Sequence, residues 1–110
     1  MKQYVIDQLR WNDYEGVKGY LDARGQKTAM EGVYWIGLPE SLYTTVQNEH
    51  PRCHPYYFAV NLSFDRVDFE LLIRSRQIMR CDCIAYAVPE QRDYIIGFAD
   101  EMLERLKIKI

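Results

Sequence analysis

Apolar and polar side chains alternate along residues 56–74, which read YYFAVNLSFDRVDFELLIR. Two arms of this alternation flank a turn at residues 63–66, and a period of two is typical of strands that bury one face of a sheet. The segment therefore predicts a hairpin at the centre of the fold. Its predicted inward-facing residues are Phe58, Val60 and Leu62 in the first arm and Val67, Phe69, Leu71 and Ile73 in the second.

The alternation resumes at residues 81–88, which predict a third strand, so that residues 56–88 form a meander. Aromatic and β-branched residues predict further strands at residues 4–6 and 31–38. A short, weakly amphipathic helix is expected over residues 39–48. The predicted strands therefore surround the central hairpin on both sides in sequence.

Two longer helices complete the predicted order β-α-β-α-β-β-β-α. Residues 12–24 have helical spacing, with Asn12 and Glu15 in the capping-box arrangement and Gly25 placed to end the helix in the left-handed conformation. Pro89 is well placed to begin the last helix, because proline is tolerated at the first helical position. The predicted buried stripe of that helix is Ile95, Phe98, Ala99, Met102 and Leu106.

This order predicts a single α+β domain spanning residues 1–110. The expected architecture is a two-layer sandwich, in which helices pack on one face of a mainly antiparallel sheet of four to five strands. The opposite face would then be incompletely covered, and an exposed apolar patch favours a homodimer or a docking surface for a protein partner. The residues predicted for this partner surface are Trp35, Tyr57 and Leu72.

Composition restricts the function classes without selecting one. Fourteen Lys and Arg residues against sixteen Asp and Glu give a formal net charge of -2, too weak a field for binding nucleic acid or an anionic membrane. The N-terminal residues lack the apolar run of a signal peptide, and no segment is apolar enough to span a membrane. We therefore expect a small soluble, cytoplasmic binding or interaction domain without its own catalytic apparatus.

The histidines and cysteines offer the one candidate chemistry. All of them lie in two short segments, and a meander brings these segments to the same end of the sheet. Pro51 favours an extended or polyproline conformation at His50, which would point His50 and Cys53 the same way. Cys81 and Cys83 would share one face of a strand. The predicted zinc site is Cys₃His, formed by His50, Cys53, Cys81 and Cys83, with His54 as a spare ligand.

Other interpretations of these residues stay open. The H-x₂-C and C-x-C spacings differ from the paired C-x₂-C of zinc ribbons, and the cysteines could instead be small buried hydrophobic residues without any metal. A thiol-dependent redox or nucleophilic protein would use Cys53 or the Cys81 and Cys83 pair. However, a disulfide oxidoreductase normally carries C-x-x-C at a helix N-terminus, which is not found here.

A second candidate site is the basic segment RSRQIMR, which contains Arg74, Arg76 and Arg80. Arginine binds phosphate and carboxylate groups through two parallel hydrogen bonds, so the run is a candidate anion-binding site. The alternative is a solvated turn whose arginines pair with nearby acidic residues such as Glu70 or Asp82.

Overall fold

The computed structural model describes residues 1–110 and contains seven strands and three α-helices. The 3-10 turns lie at Glu40–Leu42 and Pro51–Cys53. The strands are β1 (Gln3–Ile6), β2 (Gln26–Lys27), β3 (Val33–Gly37), β4 (Tyr56–Ser63), β5 (Arg66–Glu70), β6 (Leu72–Ser75) and β7 (Ala85–Tyr86). The helices are α1 (Trp11–Arg24), α2 (Thr45–Asn48) and α3 (Pro89–Leu106).

Every strand pair is antiparallel, and β4 lies at the centre of the sheet. The strand order is β1-β5-β4-β3-β2, while β6 also pairs with β4 and carries β7 on its outer side. The α+β class predicted from the sequence is confirmed. The sheet has seven strands rather than four to five, because β2 is an additional two-residue strand and the second hairpin arm is divided in two.

That division lies at Leu71. Ser63 pairs with Arg66 and Val60 pairs with Phe69, and the pairing resumes with Tyr57 opposite Arg74. The four residues 70–73 of the second arm therefore lie opposite only the two residues 58–59 of β4, which makes a bulge. The bulge contains an even number of extra residues, and Ile73 therefore stays on the same face as Phe69. Leu71 itself is half-buried, and its backbone bonds to Lys2 and Ala87 rather than to β4.

The predicted strand at residues 81–88 is wrong over most of its length. Only Ala85 and Tyr86 form a strand, and residues 81–84 form a turn in which the Ile84 N–H donates to the Cys81 carbonyl at 3.0 Å. The apolar alternation of residues 81–84 does not produce a strand, because the Ile84 N–H bonds within the turn.

The predicted helix ends also need correction. Helix α1 begins at Trp11, and the Asp13 carboxylate accepts from the Arg10 N–H at 3.1 Å, so Asn12 is not the capping residue. Gly25 has an extended conformation, with φ of -100°. Glycine suits this position because the chain packs closely there: a Cβ atom would come within 2.9 Å of the Ile36 side chain.

Helices α1 and α3 pack on one face of the sheet. Phe98 of α3 was predicted to be buried and is half-buried, with its ring 6.0 Å from Tyr20, 6.1 Å from Phe58 and 6.3 Å from Phe69. The helix residues that are buried in this layer are Val17, Tyr20, Leu21, Ile95, Ala99, Met102 and Leu103. No helix has both the length and the apolar character required to cross a membrane.

Candidate metal centre

Four of the five histidine and cysteine residues meet at the end of the sheet where β4 begins. His50, Cys53, Cys81 and Cys83 place one ligand atom each within 4.8 Å of all the others. A tetrahedral zinc ion with Zn–S of about 2.3 Å and Zn–N of about 2.0 Å separates its ligand atoms by about 3.5–3.8 Å. The group is therefore positioned to hold a metal ion after small adjustments of the side chains.

The first pair of residues is brought together by a turn. Pro51 begins the 3-10 turn Pro51–Cys53, and the Cys53 N–H donates to the His50 carbonyl at 2.9 Å. Proline suits this position because it has no N–H to satisfy and its φ is already fixed. The polyproline geometry expected for this segment is thus wrong, although its consequence, that His50 and Cys53 lie together, is correct.

The second pair lies in the turn at residues 81–84, which faces the first. Cys81 Sγ lies 3.1 Å from His50 Nδ1, so the two segments are in direct contact. A hydrogen bond fixes the backbone of Cys83, because its carbonyl accepts from Gln47 Nε2 at 3.3 Å. The tight turn replaces the strand that was predicted to direct both sulfur atoms to one side.

Ser75 links the first segment to the end of β6. Its hydroxyl donates to the carbonyl of Cys53 and accepts from the N–H groups of Gln77 and Ile78, at 3.0 and 3.1 Å. The Arg76 N–H adds a bond to the Pro55 carbonyl at 3.0 Å. The exit of β6 is thereby fixed next to the entry of β4, which explains why the meander brings the two segments together.

The cluster is largely closed to solvent. Cys53 is 3% exposed and Cys83 is 2% exposed, and both belong to the main hydrophobic core. His50 and Cys81 are half-buried and form the outer side of the cluster. A bound ion would therefore be approached through His50 and Cys81, while the other two sulfur atoms face the protein interior.

Two buried glutamines support the cluster and were missed by the sequence reasoning. Gln47 binds the Cys83 carbonyl, and its Oε1 accepts from Gln91 Nε2 at 2.9 Å. Gln91 also donates to the Leu42 carbonyl at 2.9 Å. Each glutamine lies three residues after a helix N-cap, at Thr44 and Val88, where its side chain accepts from the capping residue's N–H. The T-x-x-Q spacing of a capping box was the signal available for Gln47.

His54 lies outside the four-residue group. Its Nε2 is 2.7 Å from the Gln47 carbonyl, which can only accept, so this nitrogen carries the proton and donates. The ring packs edge-on against Tyr43 at 4.9 Å between centroids. The expected role of His54 as a spare ligand is not supported by this arrangement, since its ring is used in a bond to the backbone.

The thiols differ in acidity. Burial, together with the neighbouring thiols Cys83 and Cys81, raises the pKa of Cys53 to about 11. The pKa of Cys81 is lowered to about 7, because the backbone and then the thiol of Cys83 bond to its sulfur, with a smaller contribution from His50. A thiolate therefore forms more readily at Cys81, at the accessible side of the cluster, than at Cys53.

The three arginines of the predicted anion-binding run do not converge. Arg74 pairs with Glu70 at 3.3 Å, and the Arg76 guanidinium lies 5.5 Å from the centroid of the Trp35 ring. Arg80 is exposed and forms no ion pair. The run is therefore divided into one paired, one stacked and one solvated arginine.

The three residues predicted as a partner surface lie on the sheet face opposite the helices. Trp35 and Tyr57 stack with ring centroids 4.4 Å apart on the sheet face opposite the helices. Leu72 shares this face, because it lies two residues before Arg74, which pairs with Tyr57, and it is half-buried beside Tyr86 of β7. The same face carries ion pairs such as Arg66 with Asp68 at 2.9 Å, so it is more polar than expected.

Comparison with known proteins adds no assignment. No protein family model, curated protein or solved structure matches this chain. The function is therefore inferred from the geometry and chemistry of the chain itself.

Proposed function

We propose that this chain is a small zinc-stabilised binding domain, in which His50, Cys53, Cys81 and Cys83 hold one Zn²⁺ ion. The observation that carries the proposal is the meeting of the four ligand atoms within 4.8 Å, from two turns far apart in sequence. The buried glutamines behind Cys83 support it, because partners in an outer layer orient the ligands of metal sites.

The donor set selects the metal. Three thiolates and one imidazole are soft or intermediate ligands that suit Zn²⁺, whereas Mg²⁺ and Ca²⁺ prefer oxygen ligands. Zinc in structural sites is almost always tetrahedral with four protein ligands, which is the number that this cluster offers.

The proposed role of the ion is structural. A catalytic zinc site keeps one position open for water or substrate, while four protein ligands leave none. Thiol chemistry would have to use Cys81 alone, whose pKa is about 7, because it is not supported at Cys53, with a pKa raised to about 11, or at Cys83, which is only 2% exposed. Such thiols are poor nucleophiles at neutral pH and are difficult for a substrate to reach.

Elemental analysis of the protein, purified without a histidine tag from zinc-containing medium, tests the proposal. We expect one zinc per chain, loss of the ion in His50→Gln, and retention of the ion in His54→Gln. The two variants make the same chemical change four residues apart, and only His50 belongs to the group of ligands. Substitution with Co²⁺ should add the visible absorption of tetrahedral thiolate coordination.

The proposal fails if the protein contains no stoichiometric zinc and none can be added back to the reduced, metal-free chain. It also fails if His54→Gln loses as much zinc as His50→Gln while circular dichroism shows that both variants are folded. In the first case the cysteines hold no metal, and in the second the ligand set is not the one proposed.

A further inference from the structure

A second feature lies on the sheet face opposite the helices. A cavity of about 330 Å³ opens there where β3, β4 and β6 lie side by side. This volume falls within the range of about 300–1,000 Å³ that is common for small-molecule sites. The cavity combines an aromatic floor, apolar walls and arginine side chains, which is the mixed lining expected of a ligand site.

The floor is the stacked pair of Trp35 and Tyr57. Their rings are 4.4 Å apart with an interplanar angle of 27°, and they are diagonal neighbours because Trp35 pairs with Ala59 and Tyr57 with Gly37. Tyr57 is only 7% exposed and Trp35 is half-buried, so Trp35 is the part of the pair that remains open to the cavity. A flat apolar group in the cavity can therefore pack against the open part of Trp35, beside the Arg76 guanidinium.

The walls come from the segment between β6 and β7. Ile78, Met79 and Ile84 line the cavity beside the aromatic floor. Met79 is 94% exposed, and a flexible, unbranched side chain of this kind adapts to the shape of a bound group. An aromatic molecule on the floor would bury part of this exposed apolar surface.

The electrostatics of the cavity favour an anion. Arg74 is paired with Glu70, which also accepts from Asn61 at 2.9 Å, so the charge of Arg74 is compensated. Arg76 is exposed and pairs with no carboxylate, and its positive charge remains free at the cavity rim. The Tyr57 hydroxyl bonds to no other side chain. It keeps some solvent exposure, because the structure contains no buried side-chain oxygen without a partner.

We propose that this cavity binds a small planar aromatic molecule that carries a carboxylate or phosphate group. The ring would pack against the open part of Trp35, and the anion would bind the Arg76 guanidinium, with the Tyr57 hydroxyl as a further donor. The proposal uses residues outside the zinc cluster and does not depend on the presence of zinc.

Fluorescence of Trp35 provides the test. The chain has two tryptophans, and Trp11→Phe leaves Trp35 as the only reporter. Adenosine monophosphate and 4-hydroxybenzoate represent the two sources of a planar anion, and adenosine and 4-hydroxybenzamide are their neutral counterparts. We expect at least one anionic probe to quench Trp35 saturably and its neutral counterpart to bind about tenfold or more weakly, the usual loss for a charge-assisted hydrogen bond.

Arginine variants locate the site. Arg76→Gln should raise the dissociation constant of that probe about tenfold, whereas Arg80→Gln should leave it within about twofold, because Arg80 lies four residues on and does not line the cavity. Binding of the nucleotide alone or of the carboxylate alone would identify the source of the anion.

Three results would overturn the proposal. One is that neither anion quenches Trp35, and another is that Arg80→Gln weakens binding as much as Arg76→Gln. The third is quenching that depends on protein concentration without any probe, with a dimer in light scattering, because a second copy of the chain would then cover this face.

Discussion

Cys81 and Cys53 differ in how easily each thiol releases a proton to make room for a metal ion. Cys81 is prepared for this step, because hydrogen bonds from Cys83 lower its pKa to about 7. Cys53 is the opposite case, with a pKa raised to about 11 by burial. Since a zinc ion deprotonates the thiols that it binds, we infer that Cys81 and His50 would receive the ion first and the buried thiols would follow.

Alkylation of the metal-free protein with iodoacetamide tests this difference between the thiols. We expect Cys81 to be half-maximally reactive near pH 7, because the thiolate fraction rises as the pH passes the pKa of about 7. Cys53 and Cys83 should react far more slowly, since both are buried. Peptide mass spectrometry across a pH series assigns the sites, and added zinc should protect Cys81.

Equal labelling of the three thiols would contradict this prediction. So would a Cys81 profile centred at or above the ordinary thiol pKa of about 8.5. The first result would mean that Cys53 and Cys83 are not buried in the metal-free protein, and the second that the hydrogen bonds at the Cys81 sulfur are absent there.

At this scale the sequence identified the candidate ligands but not their geometry. Their confinement to two segments at one end of a meander was sufficient to predict that His50, Cys53, Cys81 and Cys83 meet. The turns that carry them depend on single backbone bonds, such as Cys53 to His50, which no periodicity encodes. The bond of His54 to the Gln47 carbonyl also depends on a contact that only the folded chain creates.

Among the elements, α3 is attached to the sheet by an aromatic contact that can be tested directly. Phe98 meets Tyr20, Phe58 and Phe69 at centroid distances of 6.0–6.3 Å. We expect Phe98→Ala to lower the free energy of unfolding by about 3 kcal/mol, the lower end for a phenylalanine truncation because Phe98 is half-buried.

A urea titration measures this loss, and Phe64→Ala is the matched control. Phe64 lies in the β4–β5 turn and is 72% exposed, so its truncation should change the free energy of unfolding by no more than about 0.5 kcal/mol. Equal effects of the two variants would contradict the packing of Phe98 of α3 against α1 and the sheet.

The elements that the sequence predicted well are those with long, uninterrupted periods. The first hairpin arm is one continuous strand that is buried on both faces from Tyr56 to Val60, and α3 buries one face and begins at Pro89. The predicted strand at residues 81–88 failed because its local pattern was outweighed by the turn at residues 81–84 and by the bond from Gln47 to Cys83. The break at Leu71 was not predictable either, since two extra residues preserve the alternation.

For the whole molecule, the position of the cluster determines what a metal ion would contribute. The chain between Cys53 and Cys81 contains β4, β5 and β6, so an ion bound to both cysteines would close a loop around the centre of the sheet. The hydrophobic core of 22 buried residues extends well beyond this loop into both long helices. We infer that the fold forms without the ion and that the ion increases its stability.

Removal of zinc with a chelator should therefore lower Tm while the far-UV circular dichroism of the native state is retained. Free zinc at 100 times its dissociation constant stabilises a folded protein by about 2.7 kcal/mol. For a domain of this size that corresponds to a change in Tm of about 10 °C. Calorimetry with and without chelator measures the shift, which should be absent in His50→Gln and present in His54→Gln. A Tm that the chelator leaves unchanged in the unmodified, zinc-loaded protein would contradict the stabilising role of the ion. Loss of the native circular dichroism spectrum on chelation would contradict the inference that the core folds without the ion.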